Sequence, residues 1–365
     1  MIVLWFLILL TVIVFVHELG HYLVARINGV RVEVFSIGFG KELFGFNDSI
    51  GTRWKVCLIP LGGYVKFFGD ANLSSNLPSD KLDKLTNKQI EETFHSKTLK
   101  QKTSIVAAGP MFNFLFTIII FFGIYLLKGI PSEIEYLPVI NSVVEDKSAY
   151  KAGFQPDDRI ISANNIIINN FHDVKEVIYS NPSKEINFII LRNGEKINIS
   201  AKPDSVEEIG NNGSKNIICR MGFSAKYEVT YERINIKDSF LKSLNDTFEY
   251  TVKTFEGISE IVLGKRSASE LGGPIMIASV ASKAAENGLE SYLFIMAIIS
   301  INLGLINLFP IPMLDGGHLL LYAVQAVTKK VINDVVLKYY YGVGIFILLS
   351  LMIFVNYNDL IKQLN

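Results

Sequence analysis

Four stretches of this 365-residue chain are apolar over about the length that spans a bilayer. They run from Ile2 to Ala25, Ser104 to Leu127, Ser291 to Leu314 and Tyr339 to Asn358. The last three carry no Asp, Glu, Lys or Arg. Roughly 20 such residues in a helix cross the hydrocarbon core. Isolated backbone in lipid must satisfy its own hydrogen bonds, which makes these runs helices. Half of the residues are hydrophobic and 19% are charged, as in an integral membrane protein with a sizeable aqueous part. Lysine plus arginine equals aspartate plus glutamate, at 35 each, so no basic excess favours a nucleic-acid partner.

The first stretch is the exception in chemistry. Met1 to Val16 carries no charged side chain, and then come His17-Glu18-Leu19-Gly20-His21. In this H-E-x-x-H pattern the two histidines are four residues apart, on one helix face. Both imidazoles can then reach one zinc ion, with Glu18 beside it as a base. Ionisable groups at membrane depth are costly and point to function. A purely structural role would bury two histidines and a glutamate with nothing to compensate them. The segment has no basic n-region and no small-x-small cleavage site, and cleavage after residue 25 would discard the histidines. It reads as a retained span.

Lysines and arginines near the span ends set the topology. Arg26, Arg31 and Lys41, with Lys97, Lys100 and Lys102, mark the first loop as cytoplasmic. Lys329, Lys330 and Lys338 do the same for the last loop. The 130–288 region then lies outside. Within the first loop, Val30 to Phe35 and Arg53 to Ile59 alternate as strands do, with Ser36 to Gly40 interrupting and Pro60 to Gly63 turning the chain. A small sheet of hairpins beside the first helix is expected. Residues 70–100 read as a polar loop with one short helix.

Residues 130–205 form a compact unit on sequence grounds. Strands are expected at Val139 to Val144, Arg159 to Ala163, Glu185 to Arg192 and Glu195 to Ala201, the last two joined by Asn193-Gly194. Ser148 to Gly153 suits a helical turn and Phe171 to Tyr179 a helix. Lys151 to Ile160 (K-A-G-F-Q-P-D-D-R-I) resembles the PDZ-domain signature, with Asp157 where a glycine is usual. Gly210 to Ser214 reads as a loop, Cys219 to Phe223 and Glu228 to Tyr231 as strands. Ile236 to Leu263 has the spacing of an amphipathic helix. Cys57 and Cys219 fit no metal spacing or disulfide framework and read as half-buried residues. His95 and His172 read as solvated.

A catalytic zinc usually takes three protein ligands and keeps one position open. The best third candidate is Asp315, directly after the third apolar run, in Asn307-Leu308-Phe309-Pro310-Ile311-Pro312-Met313-Leu314-Asp315-Gly316-Gly317-His318. Two prolines and two glycines break the helix there, and a broken helix at membrane depth is tolerated where it lines a cavity. His318 is the competing ligand. Gly109 to Asn113 in the second span reads equally as a kink or as a close approach to the site.

His17 to His21, Gly109-Pro110-Met111-Phe112-Asn113, the PDZ-like unit and Asn307 to Gly317 occur in the order found in site-2 proteases. The chain resembles that family of intramembrane zinc metalloproteases over nearly its whole length. It is most similar to the bacterial inner-membrane type, the regulator of sigma-E protease. The resemblance implies a zinc endopeptidase that cuts transmembrane segments of single-span proteins, such as anti-sigma factors or signal-peptide remnants. It implies His17, His21 and Asp315 as zinc ligands and Glu18 as the general base. Asn307 would hold the substrate backbone, and Gly38 to Val65 would form a membrane-re-entrant β element. The partners are then the lipid bilayer and transmembrane substrates, with the PDZ-like unit on the periplasmic side. One departure is that this type carries two tandem PDZ domains, where residues 130–230 hold one and a remnant.

The expected fold is an α-helical membrane protein with about four transmembrane helices, a small membrane-associated β-hairpin region and an inserted α+β PDZ-like domain. Its divisions are a membrane core over 1–129, the PDZ-like domain over 130–205, a linker and amphipathic helix over 206–288, and a second membrane core over 289–365. A silent PDZ-containing scaffold is the alternative, and it would not need Glu18. A zinc transporter would place further ionisable residues in spans two and four, which have none.

Overall fold

The computed structural model describes residues 1–69, 85–209, 215–330 and 332–364. The expected loop at Gly210 to Ser214, and residues 70–84 of the polar stretch, lie outside them. The described chain forms two compact units, Met1–Leu127 with Asn235–Asn365, and Lys128–Ile234.

The first unit begins with helix α1 (Ile2–Ile27), followed by the antiparallel strands β1 (Val32–Asn47) and β2 (Arg53–Phe67). Val32 faces Phe67 at one end of this ladder and Asn47 faces Arg53 at the other. The interruption expected at Ser36 to Gly40 is a set of bulges within one continuous strand. Gly38 and Gly40 absorb it with φ of +84° and +86°, a left-handed backbone open to glycine. Asp48 closes the turn, accepting from the amides of Ile50 and Thr52 and from Trp54 Nε1 at 2.8–2.9 Å. Burial pushes its carboxyl up. The Trp54 indole and the two amides outweigh that and hold it below the usual carboxylate range. Trp54 stacks on Phe35 at 4.3 Å, and Phe35 is buried with Tyr22 and Ala25 of α1. Cys57 is fully buried rather than half-buried, with Sγ 3.4 Å from Ser36 Oγ.

The expected short helix of the first loop is at Asn87–Glu91, with a capping box between Thr86 and Gln89. Helix α2 (Leu99–Lys128) continues unbroken through Pro110.

The second unit is an antiparallel sheet. Its strands are β3 (Ile130–Val143), β4 (Arg159–Ala163), β5 (Ile166–Ile167), β6 (Ile186–Arg192) and β7 (Glu195–Ala201), with helix α3 (Phe171–Ser180) between β5 and β6. After them come β8 (Asp204–Ile209), β9 (Lys215–Arg220) and β10 (Phe223–Glu232). The strand order is β10-β3-β4-β6-β7 with β5 on β4, while β8 and β9 pair separately. β3 starts nine residues before the expected strand because its first half is held by β10, far away in sequence. Asn193 and Gly194 both take positive φ, +52° and +87°, as a tight hairpin between right-twisted strands requires. Asp157 holds φ of +73°, a conformation that glycine adopts freely and aspartate at modest cost. Asp158 is fully buried and receives Nε and an Nη of Arg192, each at 2.7 Å. Cys219, 5% exposed, is also buried rather than half-buried. His95 and His172 are exposed, as expected.

The chain returns to the first unit through α4 (Ile236–Val262), α5 (Pro274–Glu286) and α6 (Leu289–Asn307). Then come α7 (Asp315–Thr328) and α8 (Asp334–Leu364). The third apolar run is not one helix. α6 stops at Asn307, residues 308–314 form turns around Pro310 and Pro312, and α7 starts on Asp315. Proline removes a backbone donor and cannot continue the helix. The two glycines do not break it. A Cβ on Gly316 would lie 2.2 Å from the Leu308 carbonyl oxygen, and one on Gly317 2.3 Å from that of Ile311. They let the turn fold back onto the first turn of α7. α1, α2, α6 and the Val335–Lys362 part of α8 are long and apolar enough to cross a membrane.

Candidate metal centre

α1 and α2 touch backbone to backbone. A Cβ on Gly20 would lie 2.4 Å from the carbonyl oxygen of Ala108. His17, one turn before that contact, and His21, the residue after it, bring their rings edge to face at 4.9 Å. They fill the notch left by Gly109, where a Cβ would fall 2.3 Å from His21 Nε2 and 2.8 Å from His17 Cε1. The Gly109 to Asn113 stretch is therefore a close approach. Gly109 and Asn113 are four residues apart, on the face of α2 turned to α1.

The α6–α7 turn brings the third group. Asp315 Oδ2 lies 3.2 Å from His17 Nε2 and 3.5 Å from His21 Nε2, and the two Nε2 atoms are 3.3 Å apart. Two nitrogens and one oxygen at about 2.0–2.1 Å from a tetrahedral zinc stand roughly 3.3 Å from one another. The three separations fit that edge length. Asp315 Oδ2 is buried without an aligned hydrogen-bond partner, a costly state for a carboxylate unless a cation joins it. His21 Nδ1 donates to the Ile105 carbonyl at 2.9 Å, which leaves Nε2 bare for a metal. The donor set and its spacing fit zinc. His17, His21 and Asp315 form the one cluster of three potential ligands that converges among the described residues.

The other sequence candidates distribute around this cluster. Asn307, the last residue of α6, brings Nδ2 to 3.3 Å from His17 Nε2. His318, one turn along α7, has Nδ1 at 3.5 Å from the Tyr341 hydroxyl and lies outside the converging set. Glu18 is half-buried, with its Cγ 3.0 Å from where a Cβ on Gly63 would be. β2 thus passes directly beside the glutamate, a contact with no sequence signal beyond a Gly-Gly pair. Two polar residues carry no role in the sequence reading, Asn113 entering only as the end of the Gly109 to Asn113 motif. Asn113, fully buried, sits 3.2 Å from His17 Nδ1, and Ser300 donates to the Asn113 carbonyl at 3.0 Å.

A histidine pair and a distant aspartate converge between apolar helices with the spacing of ligands to one metal ion. Residues 5–351 match Peptidase family M50. The chain is 39% identical to a Mesorhizobium japonicum protein named as a zinc metalloprotease, over 97% of both chains. It is 37% identical to one so named from Rickettsia conorii, again over 97% of each. With one from Campylobacter jejuni the identity is 34%, over 95% of this chain and 90% of the other. The chain belongs to Peptidase family M50, the site-2 protease family, and is a zinc-dependent membrane metalloprotease.

Proposed function

We infer that this metalloprotease cleaves peptide bonds within the transmembrane segments of single-span membrane proteins, such as anti-sigma factors or signal-peptide remnants. The convergence of His17, His21 and Asp315 on helices buried among apolar runs carries this reading. The same reading assigns the chain to a bacterial inner membrane. Residues 130–205 then act as a PDZ-like module on the periplasmic side.

His17, His21 and Asp315 hold the zinc. Bound there, zinc supplies a Lewis acid that polarises the scissile carbonyl and makes water acidic enough to react near neutral pH. Glu18 takes the proton of the attacking water and delivers it to the leaving amine. Its contact with Gly63 limits where the carboxylate can swing. Asn307 holds the substrate backbone, its Nδ2 being beside His17 Nε2. A helical peptide bond is shielded by its own hydrogen bonds, so the substrate unwinds before it is cut. Val34 to Ile37 of β1 pairs with β2 on both sides, so the open edges are Glu42 to Asn47 of β1 and Gly63 to Lys66 of β2, and an extended segment can be held on the latter. β2 delivers that edge to Glu18.

The test is reconstitution with single-span substrates, reading cleavage and bound zinc. Glu18→Gln should keep its zinc and lose cleavage by about 10²–10⁴-fold. Equal cutting by the variant removes Glu18 from its role. A zinc-loaded wild type that cuts no transmembrane substrate from a broad panel ends the proposal.

A further inference from the structure

Every ring nitrogen of the histidine pair is accounted for except one. The two Nε2 atoms converge on Asp315, and His21 Nδ1 donates to the Ile105 carbonyl. His17 Nδ1 faces the side-chain amide of Asn113 at 3.2 Å. A histidine that offers Nε2 to a metal carries its proton on Nδ1, so Nδ1 must donate and its neighbour must accept. An asparagine amide can do either, since turning it by 180° exchanges Oδ1 for Nδ2. With Nδ2 against His17, Oδ1 is buried and has no partner. The turned amide gives Oδ1 the Nδ1 proton.

The place of this side chain is fixed from a third helix. Ser300 of α6 donates to the Asn113 carbonyl at 3.0 Å, and Thr117 does so from the next turn of α2 at 3.1 Å. Gly304 lies against the Asn113 Cβ, where its own Cβ would be 3.2 Å away. Asn113 is thus held by packing, while its amide keeps one degree of freedom.

We propose that Asn113 is a positioning residue of the metal centre, whose Oδ1 accepts the Nδ1 proton of His17 and so commits Nε2 to the zinc. This rests on the zinc reading of the site. α2 would then orient both histidines of α1, through a backbone carbonyl at Ile105 and a side-chain carbonyl at Asn113.

The experiment measures zinc affinity of the purified full chain, by competition with a chromophoric chelator, in three variants. Asn113→Leu keeps the shape and removes the acceptor, and should bind zinc about 10–100-fold more weakly. Asn113→Asp keeps the acceptor and should stay within about threefold of wild type. His17→Ala should lose the site. Wild-type affinity in Asn113→Leu overturns the proposal, as does Asn113→Asp as weak as Asn113→Leu. If His17→Ala also binds as wild type, the zinc reading falls with it. Should Asn113→Leu not fold, ¹⁵N-histidine spectra of the zinc-loaded wild type decide. Zinc on Nε2 of His17 with a protected Nδ1 proton is expected, and zinc on Nδ1 overturns the proposal.

Discussion

α2 and α8 are alike in length and apolarity and opposite in surroundings. Half of the most apolar stretch of α2 is buried within the protein, against 6% for α8. α2 lies between α1 and α6, touching one through Gly109 and the other through Asn113 and Thr117. α8 is held in two regions, where Tyr340 donates to the Gly317 carbonyl at 3.0 Å and Asn358 to that of Ala268 at 3.1 Å. Gly344 packs on Pro312, in the turn before Asp315, and Asp359 accepts the amides of Gly273, Ile275 and Met276 at 2.9–3.0 Å. Hydropathy alone would rank the two together. What separates them is polar and small residues: α2 spends glycine, asparagine and threonine along its middle, while α8 concentrates them at its anchors. Most of the rest of α8 is exposed and apolar.

The same truncation on the two helices makes the contrast measurable. Phe121→Ala on α2 empties a fully buried position beside Tyr125, Tyr250 and Phe294, and should cost about 3–5 kcal/mol in detergent unfolding. Gly109→Ala comes next. Its methyl group would overlap His21 Nε2, and zinc affinity should fall on the order of 100-fold. A variant that holds zinc as tightly as wild type would mean that the α1–α2 contact is looser than the structure has it. Asp359→Ala strips the start of α5 of its acceptor and should cost about 1–3 kcal/mol, making it the sensitive point of α8. Phe346→Ala, at a position 72% exposed, should change stability by less than about 0.5 kcal/mol. If it matches Phe121→Ala, α8 is packed against protein and the contrast disappears.

The spans were legible because a long apolar run has few alternatives, and the histidine pair because i and i+4 share a helix face. Their edges were not. Ser291 to Leu314 is uncharged throughout and stays apolar on either side of Asn307, so its hydropathy does not mark the end of α6 there. Pro310 and Pro312 do, and they weigh more than hydropathy there. β3 was read short because Ile130 to Leu137 is held by β10, and pairing at that separation leaves no local trace. Gly316 and Gly317 looked like helix breakers. They are sites where carbonyls of the preceding turn press on a helix, which only packing reveals. Asn113 was visible as a letter in a motif, and its hydrogen bond to His17 was not.

The spacing of the three converging groups also has a timetable. Asp315 leaves the ribosome about 300 residues after His17, roughly 15–60 s later at ordinary elongation rates. Until then α1 and α2 can already be paired through Gly20 and Ala108, with two imidazoles facing an unfinished pocket. Until Asp315 emerges the set of three converging groups is incomplete, and it is complete before the last span, α8, has been made.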